Sequence, residues 1–190
     1  MESSAPTESM STRTIGVAIP IPEPYGSELQ HWRKIFGDPH ADAIPTHVTL
    51  LPPTEVPADA LAEVEDHLRA VAEAGQPFEM ELRGTGTFRP ASPVVFVQVA
   101  RGISECERVE PCVRSGPLAR PLRFPYHPHV TVAHDVAADD LDRAYAELAA
   151  WTATFWVWGF SLYEHGEDRV WRPQRDYVFG HALPGPTTAD

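Results

Sequence analysis

The chain has 190 residues, enough for one domain or two intimately packed lobes around a sizeable hydrophobic core. Its formal charge of -12 excludes a surface built for a long polyanion, which is normally met by clustered Lys and Arg. A nucleotide, a short oligonucleotide or an RNA terminus stays compatible, because a local group of Arg and His can hold one or two phosphates.

Residues 1–12 are rich in Ser, Thr and Glu and predict a disordered lead; residues 182–190 predict a flexible tail of the same kind. The start lacks the charged residues and apolar run of a leader, and no apolar stretch approaches bilayer length, so a cytoplasmic protein without a membrane partner is expected. Residues 14–21 are β-branched or small and apolar, which suits a buried strand ended by Pro20, Pro22 and Pro24. Residues 27–36 predict a short helix with Ser27 as cap, and residues 46–51 a strand closed by Pro52-Pro53. A clear amphipathic helix follows over 59–74, with Asp59 at its start, Leu61, Val64, Leu68 and Val71 in one stripe, and Gly75 at its end. Residues 78–88 alternate like a half-exposed strand.

The second half repeats this order. It reads as a strand over 93–100, a helix over 104–118 interrupted by Pro111, and a strand over 129–132. A helix over 139–151 then places Leu141, Ala144, Tyr145 and Leu148 on one side. Strands over 155–163 and 170–179 close the chain, joined by a turn at Gly166-Glu167-Asp168. Cys106 and Cys112 form no CxxC pair and predict free thiols.

Each half carries the same phrase at the start of its middle strand, HVTL from His47 and HVTV from His129, 82 positions apart. Side chains alternate along a strand, so His47 shares a face with Thr49 and His129 with Thr131, while Val48 and Val130 turn to the core. If a pseudo-twofold axis relates the strands, two imidazoles and two hydroxyls converge on one cavity. Histidine titrates near neutrality and can give or take a proton; a Thr hydroxyl can donate to a phosphoryl oxygen. The set can therefore cleave a phosphodiester with no cofactor and no metal.

This pair of phrases on duplicated halves resembles the 2H phosphoesterase superfamily, which includes the bacterial 2′-5′ RNA ligase-like proteins and the cyclic nucleotide phosphodiesterases. The resemblance covers roughly residues 14–179 and includes Pro128 before the second phrase. It implies an α+β fold, bilobal, with βαβ-like halves whose two antiparallel sheets line a central groove, a single domain over residues 13–181 with its lobes interleaved about a pseudo-twofold axis. It also implies His47, Thr49, His129 and Thr131 as the catalytic residues and hydrolysis of 2′,3′-cyclic phosphates or related diesters. One departure stands out: the RNA-ligase branch often has an Arg shortly after the second phrase, where this chain has Ala133-His134.

For substrate binding, Tyr126 and Tyr163 are aromatic candidates to stack a base, with Phe88 better suited to core packing. Arg172 is the most attractive of Arg123, Arg172 and Arg175 for neutralising phosphate, and His134 is a candidate groove-rim group. His127, His129 and His134 also have a metal-chelating spacing, yet Pro128 breaks the strand between the first two and the first half has no matching carboxylates. The expected partner is a small nucleotide or an RNA terminus, the expected state a monomer. Ligase-like chemistry and nucleotide binding without turnover are the alternatives.

Overall fold

The computed structural model describes residues 11–180; the expected tail and all but the end of the expected lead lie outside them. Thr12, the last residue of that lead, already pairs with Pro57 in a strand. In chain order the elements are β1 (Thr12–Pro20), α1 (Tyr25–Ile35), β2 (His47–Pro57), α2 (Leu61–Ala74), β3 (Phe78–Thr87) and β4 (Val94–Arg101). They continue as α3 (Ile103–Val113), β5 (His129–His134), α4 (Ala138–Glu147), β6 (Thr152–Val157), β7 (Gly159–His165) and β8 (Trp171–Val178).

The strands form two four-stranded sheets, ordered β2-β1-β7-β8 and β5-β4-β3-β6, with antiparallel pairing throughout. This is the expected α+β architecture of two antiparallel sheets, and the strand order shows which strands cross between the lobes. Each half sends late strands into the other half's sheet: β3 pairs with β4, and β7, with β8 beyond it, pairs with β1. The lobes are thus interleaved and share one hydrophobic core, which includes Val48 and Leu50 of β2 together with Val130 and Val132 of β5. β1 is buried without a break from Ile15 to Ile19, as a strand flanked on both edges by others can be.

Helix starts differ from the sequence reading. α1 begins at Tyr25, and Ser27 gives its hydroxyl to Glu23 at 2.7 Å. A turn of 3-10 helix, Ala58–Ala60, precedes α2, and Asp59 makes no capping hydrogen bond. Gly75 does end α2, in an extended conformation; a Cβ there would lie 2.3 Å from the Phe179 ring. α4 stops at Glu147, with Leu141, Ala144 and Leu148 buried and Tyr145 on the solvent side. α3 ends at Val113, Pro111 falling in its last turn.

The strand expected over residues 155–163 is two strands. β6 ends at Val157 on the edge of one sheet, and β7 starts at Gly159 inside the other. The apolar run Phe155-Trp156-Val157-Trp158-Gly159-Phe160 masks the switch, because it lacks the polar residues that would mark a turn. Gly159 is required there: a Cβ would sit 2.0 Å from the Tyr177 carbonyl oxygen.

Candidate active site

β2 is the outer strand of one sheet and β5 the outer strand of the other, and these two edges approach each other across the seam between the lobes. Both HxT phrases sit there. His47, Thr49, His129 and Thr131 are all half-buried, while Val48 and Val130 are fully sealed, as the two-residue period of a strand requires. Opposite lobes contribute to the same hollows: His47 and Thr131 line one cavity with Arg33, His40 and His134. Thr49 and His129 line a second with Phe88, Phe124 and Tyr126. Since a third hollow joins His47 to Thr49, the four side chains border one groove.

The two histidines are held in the same way. His47 Nδ1 lies 2.6 Å from the Pro45 carbonyl oxygen, and His129 Nδ1 lies 2.7 Å from that of His127. A carbonyl can only accept, so each Nδ1 carries the hydrogen and each Nε2 is left to exchange a proton. The acceptor is the backbone two residues upstream in both cases, a local contact that fixes ring orientation without a second side chain. His47 Nε2 also lies 3.1 Å from Thr49 Oγ1, which donates to it in this tautomer.

Burial is the main cause that pushes both imidazoles toward the neutral form. It holds His47 below the ordinary histidine value, partly opposed by the Pro45 hydrogen bond and reinforced by the charge of Arg33. It brings His129 to about 4, opposed by the bond to the His127 carbonyl and reinforced by the charges of His127 and His47. A proton on His47 therefore disfavours one on His129, which suits a pair that holds one proton between them. Phe88 meets His129 edge-on at 4.9 Å and an interplanar angle of 90°, closing that side with apolar surface.

The residues expected to bind substrate are placed unequally. Tyr163 lines the hollow beside His47 and Thr49 and is buried. His134 lines the cavity of His47 and Thr131, its Nε2 3.5 Å from Asp135. Tyr126 borders the groove, but its hydroxyl donates to the Thr49 carbonyl oxygen at 3.0 Å, tying the loop before β5 to β2. Arg172 is not among the groove-lining residues; its guanidinium grips Asp168 at 2.9 and 2.6 Å across the β7–β8 turn. Its neighbour Trp171 lines the groove instead, packed over Gly16. Phe88, read from sequence as core, is half-buried and faces the groove.

Sequence reasoning missed Arg33, His40, Trp171 and Phe124. Arg33 had one legible signal: a charged residue on the same face of α1 as Leu29, both of which prove buried. His127 and His129 stack at a centroid distance of 6.2 Å, and no three His, Cys, Asp or Glu side chains among the described residues converge to hold a metal ion. No described helix is long and apolar enough to cross a membrane.

Residues 21–169 match the family model of the 2′-5′ RNA ligase superfamily. A protein of Halalkalibacterium halodurans, given a phosphoesterase name by inference, is 29% identical over 126 residues, 66% of this chain and 72% of its own length. A similarly named protein of Oceanobacillus iheyensis is 24% identical over 167 residues, 87% of this chain and 97% of its own. The crystal structure of E. coli LigT with NADP+ matches at a TM-score of 0.68 and 21% identity, over 90% of this chain and 100% of that one. LigT with 3′-AMP matches at 0.66 and 21%, over the same shares. At such identity the solved structures speak for the fold. The family match spans both histidine phrases and most of the chain between the described ends, and by it this chain belongs to the 2′-5′ RNA ligase superfamily, the 2H phosphoesterases.

Proposed function

We propose that this chain is a metal-independent phosphodiesterase that hydrolyses a 2′,3′-cyclic phosphate or a related small nucleotide or RNA-end diester by two-histidine acid–base catalysis. The observation that carries this reading is the matched anchoring of His47 and His129 through Nδ1, which leaves both Nε2 atoms available for proton transfer at one groove. One neutral Nε2 takes a proton from water as its oxygen bonds to phosphorus. The other imidazole, protonated at Nε2, gives its proton to the ribose oxygen as the ring P–O bond breaks. The product is a phosphomonoester beside a free hydroxyl, and the proton balance is restored by exchange with solvent. With substrate bound, Thr49 turns its one hydroxyl proton from His47 Nε2 to a non-bridging oxygen, which frees that nitrogen, and Thr131 donates to another, where negative charge grows.

The superfamily membership supports phosphoester chemistry, and the aromatic wall formed by Phe88 and Phe124 beside His129 suits a nucleobase. The test is hydrolysis of 2′,3′-cyclic nucleotides in EDTA by wild type, His47→Ala and His129→Ala. Each variant is expected to lose about 10²- to 10⁴-fold in kcat, the range for one general acid or base. Full activity in either variant rejects the mechanism. Tight nucleotide binding with no turnover by the wild type points to a binding protein instead.

A further inference from the structure

The cavity that joins His47 to Thr131 contains one permanently charged lining residue, Arg33 of α1, and neither histidine phrase accounts for it. Arg33 is 3% exposed on a helix face where an apolar residue would ordinarily sit. Its Nε donates to Asp38 at 2.9 Å, and its Nη1 donates to the Ile44 carbonyl oxygen at 2.5 Å. Nη2 makes no hydrogen bond to another described residue. The sole sealed side-chain polar atom among the described residues that lacks a partner is the Tyr177 hydroxyl, so Nη2 is not sealed off, on a residue that lines this cavity.

Asp38 also accepts from the His40 backbone at 2.8 Å, so the pair braces the loop that leads to His47. The guanidinium is thus fixed on two sides and open on the third, and its charge is felt at His47. Other charged groups at this corner are few. His40 and His134 line it, and their Nε2 atoms lie 3.6 and 3.5 Å from Asp135.

Resting on the phosphodiesterase reading above, we infer that Arg33 is a substrate-binding residue, whose free Nη2 seats a phosphoryl oxygen between His47 and Thr131. A rigid guanidinium with one edge already satisfied suits this task, because it can donate to an oxyanion with little loss of side-chain freedom. Its fixed charge offsets the overall -12 of the chain where a phosphate must enter.

The test is calorimetric binding of inorganic phosphate to the full chain. Arg33→Met is expected to weaken it about 10- to 100-fold, the equivalent of one charge-assisted hydrogen bond. Asp38→Asn disturbs the same buried pair but keeps the cation, and it is expected to bind phosphate at least as tightly as wild type. Equal losses in the two variants would mark a structural brace and overturn the inference, as would unchanged affinity in Arg33→Met. Should Arg33→Met fail to fold, the Arg33 Nε–H resonance of the wild type decides: it shifts on saturation with phosphate, or the inference is wrong. A wild type that binds phosphate through Arg33 yet hydrolyses no diester supports the subsite while rejecting the hydrolytic reading.

Discussion

His47 and His129 reach the groove from different lobes with the same tautomer and the same sign of pKa displacement, and the pH behaviour follows from that. The proposed acid–base mechanism needs one imidazole neutral and one protonated. In the free protein both titrate below the ordinary value of 6.5, His129 near 4, so this singly protonated state is most populated on the acid side of neutrality. The profile of kcat/KM is therefore expected to be bell-shaped, with both limbs below pH 6.5, whereas the kcat profile lies higher because a bound phosphate favours the imidazolium. A kcat/KM optimum above pH 7 would contradict these environments. The same displacement has a stability side. Between pH 6.5 and 4 the unfolded chain binds more protons at His129 than the folded one, so stability is lost as pH falls through this window. Denaturant titrations at pH 7 and pH 5 would show it, and His129→Gln should flatten the difference. Tyr126 offers a separate check: Tyr126→Phe removes the bond to Thr49 and is expected to cost about 0.5–1.5 kcal/mol in urea unfolding, with the Thr49 carbonyl left short of a donor. The four HxT positions were legible in the sequence because a strand displays every second residue, and a pattern of period two needs no knowledge of what the strand pairs with. Tyr126 was legible as an aromatic beside the second phrase and Arg33 as a charge on the Leu29 face of α1, but the partners of Tyr126, Arg172 and Arg33 were not, since they lie far away in the chain or in loops without a periodic pattern.

At the scale of elements, most strands and helices could be placed from periodicity and from Pro and Gly punctuation, within a few residues at their ends. What failed was the passage from β6 to β7. Local sequence encodes whether a segment is extended, and the apolar run from Phe155 to Phe160 is extended nearly throughout. It does not encode that Ala153 faces a partner in one sheet, Leu82, while Phe160 faces Tyr177 in the other. The switch depends on Gly159, whose missing Cβ lets β7 pass the Tyr177 carbonyl. Gly159→Ala is expected to force a backbone shift and to cost about 1–3 kcal/mol, as overpacking does; an unchanged unfolding midpoint would show that the strand edge yields freely. The caps misled for a related reason. Ser27 and Asp59 are of good capping type, but Glu23 holds Ser27 inside the first turn and a 3-10 turn leaves Asp59 ahead of the start of α2, where Ala60 takes the cap position.

For the whole molecule, the exchange of β3 and β7 means that neither half of the chain contains a complete sheet. Residues 11–88 lack the strands that pair with β3, and residues 89–180 lack β1, to which β7 is bound. Expressed separately, each fragment is expected to show no cooperative unfolding, and mixing the two should restore the near-ultraviolet circular dichroism of the intact chain. A fragment that folds alone would show that the shared core is dispensable. The charge of the molecule sets a further expectation: away from the groove its surface offers a polyanion little, so lengthening a cyclic-phosphate-ended oligonucleotide from two to ten nucleotides should not lower KM. The strand exchange also has a historical reading. Two copies of a half-length ancestor that swapped their last strands would make this connectivity, and their twofold axis would run between two identical histidines. Joining such copies in one gene would free each end of the groove to diverge, and the present asymmetry, with Arg33 and His40 at one end and Phe88 and Phe124 at the other, is a polarity that no symmetric dimer could possess.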